Sequence, residues 1–239
     1  MKGASLVGRY SKELRGKFGL WPTWLPDAPL VVGDFGRVEK GVFLREGHIG
    51  DLGVGLQTAE PQAHSDQLFA SRGVRHVLLD GGMSEATAGT ARARIDFGRG
   101  FGVFVALRKC REERAADMIT LANQMARCKE DGRWTDRHCL VTSVMKAQSA
   151  LIAIDSDGGG SLELTANAPA SDLLTLLGGE AKIASESSVG YRSLVSAGCT
   201  PLLRLSRLSA KGDLLMRGNP TPAPRLLALD PRVGLEAPV

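Results

Sequence analysis

Hydrophobic and polar positions alternate with different periods along this chain, and the changes of period mark its elements. Leu6, Val7, Tyr10, Leu14 and Phe18 fall in one sector at 100° per residue, which predicts an amphipathic helix over 5–18 with Ser5 as its N-cap. Trp21-Pro22-Thr23-Trp24-Leu25-Pro26 carries two prolines and predicts extended chain. Leu30–Val32 and Val38–Leu44 read as short strands around a Gly33-Asp34-Phe35-Gly36 turn. Residues 45–90 read as loops plus one strand, at Val74–Leu79. From Ala91 the period becomes two: Ala91, Ala93, Ile95 and Phe97 alternate with Arg92, Arg94 and Asp96, the signature of a half-buried strand. Gly98, Gly100 and Gly102 then mark a bulge or bend before Val103–Leu107.

A helical period returns over 111–128, with Met118, Leu121, Ala122, Met125 and Cys128 facing the core and Asp131-Gly132 as the stop. His138–Ala166 is strongly β. Cys139, Val141, Ser143, Met145 and Ala147 are expected on one face, Ala150–Ile154 is continuously apolar, and Asp155–Gly160 reads as a hairpin turn before Leu162 and Leu164. A short helix follows at Ser171–Leu177, then a hairpin of Pro201–Ser209 with Asp213–Arg217. The pattern as a whole predicts an α+β fold: a twisted, mostly antiparallel central sheet with surrounding helices.

The tail has its own character. Gly218-Asn219-Pro220-Thr221-Pro222-Ala223-Pro224-Arg225 is a Pro-rich, extended linker. Beyond it Leu226, Leu227, Leu229, Val233 and Leu235 are apolar on a segment too short to fold alone. Docking three or four of them contributes roughly 1.5–3 kcal/mol each before ordering costs. The chain therefore divides into a body, 1–218, and a linker with docked tail, 219–239.

Charge sharpens the picture at the N-terminus. Lys2, Arg9, Lys12, Arg15 and Lys17 oppose only Glu13 there, which accounts for the whole formal charge of +4, and the rest of the chain balances. A basic amphipathic helix suits an anionic membrane or partner surface. In the resting state it is expected to pack its apolar stripe on the body. Nucleic-acid binding is not expected, because aromatic residues make up only 5% and the other basic residues are matched by acids.

Candidate chemistry is thin. Cys110, Cys128, Cys139 and Cys199 form no CxxC pair, and His48, His64, His76 and His138 are scattered, so neither a metal site nor a disulfide framework is expected. His138 and Cys139 are adjacent in a strand and should point apart. His76 and Asp80 share a strand face without a nucleophile beside them. No phosphate-binding loop, GxSxG, HExxH or deaminase pattern occurs. No enzymatic activity and no cofactor are expected.

The order of these segments resembles the bacterial gasdermins, a pore-forming family. The resemblance rests on Lys17-Phe18-Gly19-Leu20 closing the first helix, the extended Leu25-Pro26, and the Gly-bounded Ile49-Gly50-Asp51-Leu52-Gly53. It continues in Ala91–Phe97 with Gly102–Leu107, in His138-Cys139-Leu140-Val141-Thr142-Ser143-Val144-Met145-Lys146, in Pro201-Leu202-Leu203-Arg204, and in the short tail after 218. The family's usual N-terminal acylated cysteine has no counterpart, since the first cysteine is Cys110.

The resemblance implies a gasdermin N-terminal-domain-like fold held inactive by its tail in the cytoplasm. A protease would cut within 219–225. The body would then assemble with copies of itself on anionic lipids of the inner membrane, through Lys2, Arg9, Lys12, Arg15 and Lys17. Segments 91–108 and 138–166 would lengthen into barrel hairpins and cause cell death in antiviral defence. The competing expectation is a soluble α+β binding or scaffold protein whose tail is only a packing element.

Overall fold

The computed structural model describes residues 5–25, 28–81, 91–166, 172–178, 181–195, 198–209 and 225–229. Helix α1 spans Leu6–Phe18 and is followed by β1 (Trp21–Pro22), β2 (Asp34–Glu39), β3 (Val42–His48), a 3-10 turn at Ile49–Leu52, β4 (Gln62–Ala63), β5 (Gln67–Ala70) and β6 (Val74–Gly81). Then come β7 (Ala91–Phe97), β8 (Gly102–Arg108), β9 (Arg111–Arg114), α2 (Met118–Glu130), β10 (Cys139–Ala147), β11 (Ser149–Asp155) and β12 (Ser161–Ala166). The chain continues through α3 (Leu173–Leu177), β13 (Lys182–Ser187), β14 (Tyr191–Val195), β15 (Cys199–Ser209) and β16 (Arg225–Ala228). The class is α+β, with a curled antiparallel central sheet flanked by helices.

That central sheet runs β1-β15-β10-β2-β3, with β16 added beside β15, β9 beside β10, and β4 beside β9. Two further sheets carry the same neighbours in the same order, β14-β11-β8-β5 and β13-β12-β7-β6. They are four long strand segments, each bent once: β5–β6, β7–β8, β11–β12 and β13–β14. Hydrogen bonds cross the corner, from Gly98 N to Gly73 O at 2.8 Å and from Gly159 N to Gly98 O at 2.7 Å. Backbones meet this closely only without side chains. A Cβ on Gly73 would lie 2.0 Å from Phe101 O, and Gly158 combines a φ of +89° with a would-be Cβ 2.3 Å from Gly100 N. Asp155 closes the corner: its buried carboxylate accepts from the N–H groups of Asp157, Gly158 and Gly160.

Three apolar cores follow from this layout. α2 covers one face of the central sheet through Leu121, Ala122, Met125 and Cys128. α3 packs Leu173, Leu176 and Leu177 on the alternating inner face of β7 and β12. α1 buries Tyr10 and Leu14 against β8, β11 and the end of β15. Its caps match the sequence reading: Ser5 Oγ accepts from Gly8 N at 3.2 Å, and Gly19 takes the left-handed conformation.

Several sequence expectations are corrected. The first hairpin turns at Lys40-Gly41, both at positive φ, and not at Gly33–Gly36, because Asp34–Glu39 is itself a strand paired to Val42–His48. Residues 45–90 hold additional strands, including Gln67–Ala70 against β8. Arg111–Arg114 is a strand, not the start of a helix: it pairs with Ser143–Lys146, and Asp117 begins the helix by accepting from Ile119 N and Thr120 N. Cys139–Ala147 does not keep one face. Register shifts lie between Val141 and Ser143 and between Met145 and Ala147, and both faces are covered. Asp155–Gly160 is the corner between two sheets and not a hairpin turn, since β11 and β12 pair with different strands. The expected partner at 213–217 and the 218/219 boundary lie outside the described residues.

The four cysteines are free and buried. Burial, with the Asp66 charge adding to it, pushes the Cys110 thiol up to about 11. Burial also raises the Cys139 thiol and the Tyr10 phenol. The folded protein thus keeps protons that an unfolded chain releases from about pH 9, so stability should be level below pH 9 and fall as pH rises toward 11. Urea midpoints at pH 7.5, 9 and 10.5 check this, and Cys110→Ala should shrink the fall. A midpoint unchanged to pH 10.5 refutes it.

Candidate ligand cleft

The shift at Val141–Ser143 has a consequence for chemistry. An extra residue in a strand re-aims side chains, and here Thr142 and Ser143 both line one cleft on the central sheet. Ser143 stands directly between Arg114 of β9 and Arg204 of β15 in the pairing register. Thr142 Oγ1 lies 2.9 Å from Ser206 Oγ. Met118 at the start of α2 and Ala115 supply apolar walls, and the tail strand contributes Leu226 and Ala228. The cleft encloses about 600 Å³.

Its polar groups differ in how they are committed. Ser143 Oγ donates to Glu112, and His64 Nε2 lies 3.3 Å from the other Glu112 oxygen. The carboxylate sits between hydroxyl and imidazole, so His64 does not touch the Ser143 hydroxyl as a serine nucleophile's base must. Arg114 and Arg204 are exposed, and neither guanidinium has an ion-pair partner among the described residues. In the groove on the outer face of β7 and β12, about 470 Å³, Arg94 is already paired with Asp96 and Glu163 at 2.9 Å each, and Arg92 lines the same groove.

The residues singled out from sequence are placed elsewhere. Arg9 stacks on Phe101 with its guanidinium carbon 4.0 Å from the ring centre, and Arg15 lies 5.0 Å from that of Trp21. Partial burial lowers the Arg15 pKa. Lys12 and Lys17 are exposed, while Lys2 lies outside the described residues. Of five expected membrane-facing cations, two therefore pack on aromatic rings of the body itself. In the linker, Asn219, Pro220, Thr221, Pro222, Ala223 and Pro224 lie outside the described residues, and Arg225 opens β16. Leu226 and Leu229 pack against the central core, Leu227 is exposed, and Val233 and Leu235 lie outside the described residues.

His138 and Cys139 serve different neighbours. His138 Nε2 is 3.1 Å from Glu46 and its ring packs on Phe35 and Trp134, whereas the Cys139 thiol is buried beside Arg207. His76 and Asp80 each have their own cross-strand position, opposite Asp96 and Arg92. Among the described residues no cluster of His, Cys, Asp and Glu could hold a metal ion, and no helix is long and apolar enough to cross a membrane.

Sequence reasoning missed the cleft because its parts come from strands about 30 and 60 positions apart. One signal was present: Arg204 is a lone charge inside the apolar run Pro201–Leu205, and Thr142-Ser143 interrupts the apolar run Cys139–Met145. No family model and no curated protein matches the chain.

Proposed function

We propose that the chain is a soluble α+β binding protein whose C-terminal strand is a packing element and a wall of its cleft. One observation carries this reading. Arg225–Ala228 pairs with Ser206–Ser209 as a strand of the central sheet, and Leu229 N donates to Leu205 O at 2.8 Å. A segment so placed belongs to the sheet that builds the site, and its removal would expose the β15 edge and the α2 core together.

A second reading is the gasdermin-like one: a cytoplasmic, tail-locked pore-former, cut by a protease in 219–225, that assembles with copies of itself on anionic lipids of the inner membrane. Specific features favour it. The strand pairs β5–β6 with β7–β8, and β11–β12 with β13–β14, are two long hairpins held bent at one glycine-rich corner. Edge strand β6 also exposes Val77, Leu78 and Leu79. Straightened, each segment exceeds the ~9–11 residues needed to span a bilayer.

A version ending at Gly218 separates the readings. The binding protein should lose about 3 kcal/mol of stability, from two half-buried leucines and a short ladder, without releasing dye from anionic liposomes. Leakage by the truncated form alone would replace that reading with the pore-former.

A further inference from the structure

We infer that the cleft between β9, β10, β15 and β16 is a binding site for a phosphate group carried on a compact apolar moiety. The inference rests on the binding-protein reading and names the ligand class of that cleft. Arg114 and Arg204 are the cross-strand neighbours of Ser143 on its two sides. Strands lie about 4.8 Å apart, so the two guanidinium stems rise about 10 Å apart over one floor, a span that two arginines close around a single tetrahedral anion.

The floor supplies hydroxyls. Thr142, Ser143 and Ser206 are buried there. Thr142 Oγ1 donates to Arg204 O at 3.5 Å and lies 2.9 Å from Ser206 Oγ, so this hydroxyl pair gives the floor its polarity and the two arginines supply the donors to the ligand. Ser143 has given its proton to Glu112, and Glu112 is also beside His64, so the one carboxylate of the cleft is turned to protein partners. Two cations without an ion-pair partner among the described residues, against one engaged carboxylate, leave the cleft electropositive. Met118, Ala115 and Leu226 beside it favour an apolar substituent over a bare ion.

Calorimetric titration of the full chain tests this with inorganic phosphate, phenyl phosphate, and neutral vesicles carrying a phosphate-monoester lipid. Saturable binding is expected, tighter for phenyl phosphate than for phosphate. Arg114→Gln and Arg204→Gln should each weaken it about tenfold or more, because each removes a charge-assisted contact. Lys182→Gln, an exposed charge on β13 of another sheet, should leave it unchanged. Arginine-dependent binding of the soluble probes alone assigns a free phosphorylated small molecule, and arginine-dependent binding of the vesicles assigns a lipid headgroup. No saturable binding to any probe, or binding equal in folded arginine variants, overturns the inference. The stability and leakage of the chain ending at Gly218 are read without phenyl phosphate or either arginine variant, so the binding-protein reading fails or survives separately.

Discussion

Gly158→Ala should lower stability by about 3–5 kcal/mol, a large fraction of the roughly 5–15 kcal/mol that holds a typical domain folded. Two costs combine at this position. The backbone sits at a φ of +89°, which disfavours an L side chain by roughly 1–2 kcal/mol. The new methyl would also lie 2.3 Å from Gly100 N and 2.5 Å from Gly98 O, and both are main chain of a neighbouring bent strand. Neither can rotate away as a side-chain tip could. Relief requires the β11–β12 bend to move off the β7–β8 bend, which breaks the Arg99–Gly158 bridge. The informative control is next door. Gly159 has a similar φ of +85° but open space where its Cβ would stand, so Gly159→Ala should cost only the conformational part, about 1–2 kcal/mol. Urea unfolding of both variants checks the difference. Equal midpoints would mean that the strands do not cross as closely as the corner requires.

That corner shows how far the pattern of residues reaches. Gly98, Gly100 and Gly102 announce a bend, because glycine inside an alternating strand has few other uses. The alternation of Ala91–Phe97 likewise fixes which side chains face α3. What local pattern does not contain is the partner of each bend. Asp155–Gly160 has the composition of a hairpin turn, and only pairing with β7–β8 and β13–β14 makes it a second crossing at the same level. Arg111–Arg114 fails as helix for the same reason. Its residues have no intrinsic preference against helix, but the ladder to Ser143–Lys146 satisfies their backbone and the Asp117 cap starts α2 later. The cleft is the extreme case. Arg114, Ser143 and Arg204 become neighbours through two strand registers, one of them shifted by a bulge, and no period within one segment encodes that row.

The tail gives the second large effect, and it divides three leucines that composition alone treats alike. Leu226→Asp with Leu229→Asp should cost about 2–3 kcal/mol, no more than loss of the whole segment, whereas Leu227→Asp should stay within about 0.5 kcal/mol. Leu226 and Leu229 pack against the core under α2, so a carboxylate at either would lose water without gaining a partner. Leu227 is 38% exposed at the register position opposite Arg207, where a charge stays hydrated. The pair of substitutions leaves the backbone ladder of β16 intact, which a truncation does not, and therefore isolates side-chain burial from strand pairing. Urea midpoints read the stability, and phenyl phosphate titration reads the cleft that Leu226 helps to wall. A tail that merely lies against the body would respond equally at all three positions, or at none. A tail that is a strand of the sheet responds at 226 and 229 alone, and the loss reaches the cleft because Leu226 serves both core and cleft.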